Sequence, residues 1–490
     1  MTVPQTTPTS RIRLLWDHPP RNDGHYVLYW MTSARRTRWN FGLDRAIELA
    51  VSLGRPLLVL EALRADYPWA SDRFHQFVVH GMRANREVFE GNNVRYYPYV
   101  EPSIGAGKGL LQALAKSACA VVTDDSPAFF LPAMLASARL DVSVRFEAVD
   151  SNGLLPLRAT DRCFSRAYDF RRFLQGELRQ HLSISPRKSA FPRTALPRLT
   201  RIPKEVSLRW PEVDPELLEN PTRLLGELSI DHSVAPVPFE GGEKAGEKVL
   251  QRFLEQRLDG YGGGRNSIEV DNTSGLSPYL HFGHISPHQV FAQVAAKEQW
   301  SQEKLGNDKK GKREGWWGMG EAAEAFLDQL VTWRELGLNA AVHQVGYDRF
   351  ESLPKWALTT LEEHAADERP SVYTLEEFEQ SATHDDLWNA AQAQLRSQGL
   401  IHGYLRMLWG KKILHWSSSP REAYEIMVAL NNKFAIDGRD PNSTSGILWI
   451  LGKFDRAWGP ERPVFGKVRY MTSDNTRRKL RVGEYLRRWS

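Results

Sequence analysis

Tryptophan is unusually frequent in this chain, and three indoles lie where rings could pack together or pass electrons. The 490 residues include 16 Trp, many of them in the C-terminal half. Trp409 and Trp416 are seven residues apart in one stretch of helical period, which predicts one helix face and about 10.5 Å between them along the axis. Trp388 lies in the preceding helical stretch. From the residues alone, core packing is the favoured interpretation of this stripe, and electron transfer is the alternative.

A second group of residues has the composition of an anion site. Residues 272–286 place hydroxyls, glycines and a proline ahead of an apolar helical stretch. Backbone N–H groups and the helix dipole favour a phosphate at such a start, although an ordinary N-cap accounts for the same residues. Residues 462–490 carry nine Lys or Arg against two acids, which predicts either a site for nucleic-acid phosphates or a solvated basic tail.

Composition excludes several other classes of protein. The chain is 41% hydrophobic and 25% charged with a net charge of +5, values typical of a globular protein. No apolar run predicts a membrane span, and the polar N-terminus predicts no secretory signal. Cys119 and Cys163 are the only cysteines, too few for a disulfide framework or an iron–sulfur cluster, which favours the cytoplasm. No metal-ligand spacing and no Ser-His-Asp or paired-carboxylate motif stands out, so we expect no metal.

The elements that must position these residues fall into three segments. Residues 1–182 alternate strand-like and helical stretches, which predicts an α/β domain with a parallel, Rossmann-like sheet, although no G-x-G-x-x-G or P-loop is present. Residues 183–242 form a proline-rich linker, and residues 243–490 predict an all-helical domain. The predicted strands are 25–31, 56–60, 93–99, 119–123 and 143–149, and the predicted C-terminal helices are 249–258, 286–296, 321–341, 385–397, 404–416 and 421–430.

Five ordered motifs resemble the photolyase and cryptochrome family, and specifically its class II cyclobutane pyrimidine dimer photolyases. These are residues 273–283 (TSGLSPYLHFG), 383–391 (THDDLWNAA), 402–414 (HGYLRMLWGKKIL), 437–442 (DGRDPN) and 465–471 (FGKVRYM). The resemblance spans nearly the whole chain and is strongest between residues 261 and 471. It implies light-driven repair of cyclobutane pyrimidine dimers in UV-damaged DNA by an electron from reduced flavin adenine dinucleotide (FAD).

The resemblance also implies roles for individual residues. The implied FAD-binding residues are Tyr261, Thr273, Ser274, Gly275, Leu276, Ser277, Arg406, Asn431, Asp437 and Asp440. Arg406 and Asp437 would lie beside the isoalloxazine, and Asn431 would face its N5 atom. Trp388, Trp409 and Trp416 would relay electrons to the flavin in an order that sequence does not fix. The implied DNA-binding residues are Arg265, Trp333, Arg334, Met407, Trp449 and Arg469.

Gln329 is the main departure from the family pattern. It aligns with a glutamate that contacts the dimer in the family, and an amide can donate a hydrogen bond there but cannot transfer a proton. Asp328 is adjacent, so a register shifted by one residue stays open. The run YWMTSARR at 29–36 is degenerate against the family, which leaves open whether a second, deazaflavin-type antenna chromophore binds.

Two alternatives compete with repair. A cryptochrome-like blue-light photoreceptor would keep the fold and the flavin without repair, and Gln329 favours it slightly. A nucleotide-binding α/β protein that uses its basic tail on RNA would contain no flavin. Repair of 6-4 photoproducts is disfavoured by the class II motifs. We expect a monomer with no membrane association in the cytoplasm, associated with the nucleoid if the source is a bacterium.

Overall fold

The computed structural model describes residues 7–191, 196–264, 267–268 and 271–489. The chain divides into two compact units. The first comprises Met1–Thr160, Glu177–Gln251 and Gly275–Gln299, and the second comprises Asp161–Gly176, Arg252–Ser274 and Trp300–Ser490. The domain limits 1–182, 183–242 and 243–490 stay predictions.

The first unit is built on a six-stranded sheet in the order β1-β6-β5-β2-β3-β4. Its strands are β1 (Ile12–Trp16), β2 (Tyr26–Met31), β3 (Leu57–Leu63), β4 (Arg95–Val100), β5 (Ala118–Asp124) and β6 (Arg145–Val149). All neighbouring pairs are parallel except β1 and β6, which are antiparallel. The predicted α/β class is confirmed, and the wholly parallel sheet is corrected to a mixed one. β1 was missed because Arg13 and an exposed Leu14 interrupt its apolar pattern.

Side chains of the central strands alternate between two apolar layers. Leu28, Trp30 and Leu58 pack on one face of the sheet, and Val27 and Tyr29 pack on the other. The period of two is that of a strand buried on both faces, where helices cover each side. The covering helices are α1 (Phe41–Leu53), α2 (Asp72–Glu90), α3 (Leu110–Ala115) and α4 (Leu131–Asp141).

The proline-rich segment contains three short helices. Each of the last two begins with a proline at its first position, where the missing N–H costs nothing, and Asp214 and Asn220 cap them. These helices are α6 (Lys204–Arg209), α7 (Pro215–Glu219) and α8 (Pro221–Leu225), and α11 (Ser277–His281) and α12 (Pro287–Lys297) complete the unit. The segment is therefore partly structured between residues 196 and 238.

Asp124 organises the carboxyl edge of the sheet where β2 and β5 meet. Its Oδ2 accepts from the backbone N–H groups of Thr32, Ser33 and Ala34 at 2.8, 2.8 and 2.9 Å, and its Oδ1 accepts from the Tyr29 hydroxyl at 2.7 Å. Three successive N–H groups form an anion-binding nest of the kind that holds phosphate in nucleotide-binding folds. In this chain the nest is filled by the chain's own carboxylate.

The regular secondary structure in the described residues of the second unit is helical, apart from isolated β-bridges such as Arg166 with Phe454. Helix α9 (Glu243–Gln256) begins in the first unit and ends in the second. The other helices are α5 (Ala167–Glu177), α10 (Tyr261–Gly264), α13 (Glu321–Leu327), α14 (Arg334–His343), α15 (Lys355–Glu363), α16 (Leu375–Glu379), α17 (Asp386–Gln398), α18 (Gly403–Trp416), α19 (Pro420–Phe434), α20 (Pro441–Ile450), α21 (Ser473–Lys479) and α22 (Gly483–Trp489). Within the described residues, no helix is both long and apolar enough to cross a membrane.

The single helix predicted over residues 321–341 is interrupted by a π-helical segment, Asp328–Trp333, between α13 and α14. Such segments are rare and occur often at functional sites. Arg171 binds both carboxylate oxygens of Asp328 at 2.9 and 3.2 Å within this unit. The pattern of apolar residues gave no sign of the wider turn, because Leu327, Leu330 and Val331 suit an α-helix equally well.

Replacing Asp124 with Ala should destabilise the first unit. Three N–H groups and one hydroxyl would lose a buried acceptor, for a cost of about 2–4 kcal/mol in the free energy of unfolding. Denaturant unfolding measures this loss, and Asp17→Ala at an exposed position is the matched control. Equal stability of the two variants would contradict a structural role for the filled nest.

Candidate functional site

Helix α18 is the centre of the second unit and is packed against α17, α19 and α20. Gly410 permits the close contact, because a Cβ at this position would lie 2.2 Å from Ile450 Cδ1 and 3.0 Å from Met427 Sδ. Leu405, Leu408 and Ile413 are buried. Polar side chains on the buried face of such a helix need partners inside the protein or in a ligand.

Arg406 on α18 pairs with Asp437, in the loop that follows α19. Arg406 Nη2 donates to Asp437 Oδ1 at 3.1 Å, and the Arg406 Nε is buried without a hydrogen-bond partner among the described residues. Asn431, near the end of α19, is also buried, and its Nδ2 donates to Ser443 Oγ at 3.1 Å. A buried donor with no acceptor is costly, so the Arg406 Nε suits a ligand with acceptor atoms, as the rim of an isoalloxazine has.

The predicted phosphate motif is divided between the units. Thr273 and Ser274 belong to the second, where Arg257 binds the Thr273 carbonyl at 3.3 Å and pairs with Asp271 at 2.8 Å. Gly275, Leu276 and Ser277 belong to the first unit. Gly275 has φ +67°, the left-handed conformation that favours glycine. Ser277 begins the five-residue helix α11, whereas Ser286 is a true N-cap that accepts from His288 N at 3.2 Å.

Tyr261 and Asp440, two further residues predicted to bind FAD, have clear structural surroundings. Tyr261 begins α10 and packs edge-on against Phe253 and Phe326 at centroid distances of 5.7 and 5.5 Å. Asp440 caps α20 by accepting from Asn442 N at 2.8 Å. The cap alone accounts for an acidic residue at this position.

Trp388, Trp409 and Trp416 are all fully buried and form one connected group. The Trp388 Nε1 donates to the Trp409 carbonyl at 3.0 Å, and the Trp388 and Trp416 rings meet edge-on with centroids 6.3 Å apart. The Trp409 Nε1 donates to Gln392 Oε1 at 2.9 Å. Trp388 on α17 therefore contacts both of the tryptophans that α18 carries.

Sequence reasoning missed the polar residues around Trp416. His384 is exposed, its ring centroid lies 4.9 Å from Trp416, and its Nδ1 is 2.6 Å from the Tyr373 hydroxyl. The Lys412 ammonium lies 4.8 Å from the Trp416 ring centroid and 3.6 Å from Asp385. The group of indoles thus reaches solvent through polar neighbours of Trp416, although no indole of the three is itself exposed.

Arg469 and Trp449 belong to a second aromatic assembly. The Arg469 guanidinium lies 5.1 Å from the Trp449 ring and 4.1 Å from the Trp458 ring. Its Nε donates to Asp455 Oδ2 at 3.1 Å, and Trp458 Nε1 donates to the same oxygen at 3.3 Å. The Arg469 side chain is 38% exposed, so this stacked cation faces solvent on one side.

The other predicted DNA and substrate contacts are placed singly. Gln329 and Trp333 are half-buried in the π-helical segment, as is Arg334 at the start of α14 and Met407 on α18. Within the part of the chain that the structure describes, no ring contact joins Trp333 to Trp449, so the slot between them stays a prediction. Arg265 lies outside the described residues. Asp328 is paired with Arg171, so its carboxylate already has a partner within this unit.

Lys411 is a buried cation that the sequence prediction missed. It is fully buried on α18, its Nζ donates to the Ile450 carbonyl at the end of α20, and its charge lies 5.8 Å from the Trp449 ring centroid. A lysine suits the unpaired carbonyls at the C-terminus of a helix. Burial lowers the pKa of Lys411 to about 7, against the partial compensation of Asp455. The signal in sequence was a lysine within an apolar helical run.

Among the described residues, no three His, Cys, Asp or Glu side chains are grouped to hold a metal ion. Cys119 is buried and Cys163 is exposed, and neither forms a disulfide.

Known proteins were compared with the chain as a whole. No family model matches it. A deoxyribodipyrimidine photo-lyase of Methanothermobacter thermautotrophicus is 35% identical, covering 98% of this chain and 97% of its own. The protein of the same name from Potorous tridactylus is 32% identical, covering 98% of this chain and 84% of its own.

A solved structure has the same fold. The crystal structure of a bacterial class III photolyase from Agrobacterium tumefaciens aligns with a TM-score of 0.62 at 17% identity, over 95% of this chain and 86% of the other. The α/β sheet followed by a helical region is thus the architecture that this chain shares with that photolyase. With full-length relatives above 30% identity, the chain belongs to the photolyase and cryptochrome family. The predicted family and the predicted enzyme class, photo-lyase, are confirmed.

Replacing Lys411 with Met should flatten the pH dependence of stability. Between pH about 7 and 10.5 the unfolded lysine holds a proton that the folded one has released, so the Lys411 contribution to the free energy of unfolding rises with pH in that window. The Met variant should therefore gain most relative to wild type near pH 6 and lose this advantage only as the pH approaches 10.5. Thermal unfolding across pH measures the difference, with Lys433→Met on α19 as the control. Parallel pH profiles for wild type and Lys411→Met would contradict a buried, titrating lysine.

Proposed function

We propose that this photolyase repairs cyclobutane pyrimidine dimers in UV-damaged DNA, using light and an electron from reduced FAD. The observation that carries the proposal is the composition of α18. This one helix presents the Arg406–Asp437 pair and, three residues later, Trp409, which is connected through Trp388 to Trp416. A charge pair and a chain of buried indoles are what a flavin that must be kept reduced requires.

The residues fit FAD on two grounds. The buried Arg406 Nε has no acceptor among the described residues, and the amide of Asn431 can donate or accept as the bound group changes its charge. Bound flavin would supply the light absorption and the one-electron chemistry. Tyr261, Thr273, Ser274, Gly275, Leu276 and Ser277 are the proposed phosphate and adenosine contacts, and Asp440, the cap of α20, is a further proposed contact.

The contacts among the indoles support the order Trp409, Trp388, Trp416, running outward. Trp388 lies between the other two because it bonds to one and meets the ring of the other. Each transfer would then be a short step, because the Trp388 indole is hydrogen-bonded to the Trp409 backbone and the Trp388 and Trp416 rings meet edge-on.

Trp409→Phe or Trp388→Phe should slow light-driven reduction of oxidised FAD by about an order of magnitude. The aromatic volume is largely kept while the redox-active indole is lost, so flavin binding should persist. Flavin released on denaturation checks the binding, and absorbance under blue light with an external reductant follows the reduction. Trp300→Phe outside the group is the control. Normal photoreduction in both relay variants would assign the indoles to packing alone.

For DNA recognition we propose that Trp333 and Trp449 enclose the extruded dimer, with Met407 nearby, and that Arg469 enters the gap it leaves. The cation stacked on Trp449 and Trp458 supports the assignment because a planar guanidinium can take the place of a displaced base pair. Arg334, and Arg265 from its resemblance alone, are proposed contacts to phosphates.

Arg469→Ala should weaken binding to dimer-containing duplex by about 1–2 kcal/mol, and more than binding to undamaged duplex. Fluorescence anisotropy at two salt concentrations measures both affinities. Arg456→Ala removes an exposed arginine that lies 4.6 Å from the Trp458 ring and serves as the matched control. Equal losses on the two DNAs would make Arg469 a general phosphate contact.

Repair and photoreception differ most at Gln329. Because Asp328 is engaged by Arg171, the residue that can face the dimer from this segment is the neutral amide of Gln329. An amide can donate one hydrogen bond to a dimer carbonyl, which keeps repair possible without a shared proton. We therefore favour an enzyme over a receptor.

Wild type should repair dimers under blue light, and Gln329→Glu should keep or raise the quantum yield, the difference being worth about 1–3 kcal/mol at most. Reduced protein is mixed with dimer-containing oligonucleotide, and the restored thymine absorbance is followed. Repair by Gln329→Glu but not by wild type would indicate a photoreceptor whose dimer site is inactive because of Gln329. No repair by either, with reduced FAD present, would refute the proposal.

We also propose a site for the second chromophore. A cluster of half-buried rings in the loops after β3 and β5 can stack on a deazaflavin-type antenna; it comprises Tyr67, Trp69, Phe129 and Phe130.

A monomer in the cytoplasm or nucleoid stays a prediction. The alternative of a nucleotide-binding α/β protein is disfavoured because Asp124 fills the nest at β2 and β5.

A further inference from the structure

Gln392 on α17 is the hydrogen-bond partner of the Trp409 indole. It is fully buried, and its Oε1 accepts from Trp409 Nε1 at 2.9 Å. An indole N–H can only donate, so this bond fixes which end of the amide faces the ring. The other end, Nε2, is buried with no hydrogen-bond partner among the residues that the structure describes.

If Gln392 served only to fill space in the core, its unpaired amide would lower the stability of the protein. An unpaired buried amide N–H carries a desolvation penalty that a leucine or methionine of similar size would avoid. We therefore infer that the hydrogen bond from Trp409 to the Gln392 oxygen is the reason for a glutamine at this position. The neighbouring Trp388 indole also ends on a neutral oxygen, the Trp409 carbonyl at 3.0 Å. Elsewhere the chain does give an indole a carboxylate, since Trp458 donates to Asp455.

The nature of the acceptor matters once an indole has lost an electron. The indole radical cation is a far stronger acid than indole itself, so a carboxylate or a neutral imidazole bonded to Nε1 would take the proton. The ring would then remain as a neutral radical, which is harder to reduce by the next indole. An amide or peptide oxygen is too weakly basic to take that proton, and it still stabilises the positive charge through the hydrogen bond.

We propose that Gln392 is a positioning residue that keeps the indole proton on Trp409 during electron transfer, so that charge passes from Trp409 to Trp388 without proton movement. With oxidised flavin bound as the light-activated electron acceptor, Trp409 would lose one electron and Trp388 would then return one to it. Both Nε1–H bonds stay intact, and no covalent bond forms or breaks. This inference rests on the proposed electron relay and assigns its chemistry.

The decisive variant is Gln392→Glu, which exchanges the neutral amide for an acid of the same size. The matched control is Gln394→Glu on the same helix, where the amide oxygen accepts from the Tyr485 hydroxyl at 2.7 Å instead of from an indole. Transient absorption after a blue flash identifies the tryptophan species, because the radical cation and the neutral radical have different visible bands.

Wild type and the Gln394 variant should form the radical cation, with equal rates of photoreduction in H2O and D2O. Gln392→Glu should form the neutral radical as the pH rises through the pKa of its new carboxyl group, and its photoreduction should become slower in D2O by about twofold. A readout without flavin is hydrogen exchange of the Trp409 indole N–H by NMR in the stripped protein. Exchange should be about tenfold faster in Gln392→Leu than in wild type or Gln392→Glu.

Two results would overturn the role of Gln392: a neutral radical at Trp409 in wild type, or an unchanged radical cation in Gln392→Glu at every pH. The relay itself is tested separately by Trp409→Phe. Normal photoreduction in that variant would remove the relay and this inference with it, whereas slowed photoreduction together with either of the first two results would remove Gln392 alone.

Discussion

The arrangement of the second unit depends on one constraint: α18 is mostly buried, yet Arg406, Trp409, Lys411 and Lys412 on it each need a polar partner. Arg406 is paired with Asp437, Trp409 with Gln392, Lys411 with the Ile450 carbonyl and Lys412 with Asp385. The partners come from α17 and its N-cap, from the end of α20 and from the loop after α19. Because an unpaired polar group in this position costs as much as a large part of the stability of a domain, these pairs fix how the surrounding helices pack.

The same pairs divide α18 into regions of different chemistry. Near its start, Arg406 offers a charge with one donor still unused. In the middle, the Trp409 Nε1 donates to the neutral amide of Gln392. Near its end, Trp416 is flanked by Lys412 and by exposed His384. Moving along one helix thus leads from a charge pair through a buried aromatic interior to an edge with an exposed histidine.

Much of this was predictable from sequence where a single element determines the result. The β2 to β6 strands and the helices that carry Trp388 and Trp409 follow from local periodicity, and motif order indicated the family. Contacts between two elements were not predictable from sequence. Trp388 contacts two tryptophans of another helix, and the roles of Gln392 and Lys411 follow only from the groups they bind. Asp328 could not be separated from Gln329 until Arg171, more than 150 positions earlier, was seen to bind it.

The π-helical segment from Asp328 to Trp333 makes the number of residues itself a structural variable. A π turn holds about one residue more than an α turn, so a chain shorter by one residue here would regain α-helical periodicity. Such a deletion would leave α13 and α14 in nearly their present phase, because the π turn already accommodates the extra residue, but it would redirect side chains within the segment, where Gln329 and Trp333 lie. Substitutions change the chemistry of the side chains in this segment, but only insertions and deletions change the directions in which those side chains point. Changes in chain length at this point are therefore the route by which a related sequence could retain the fold and turn these two side chains towards different partners.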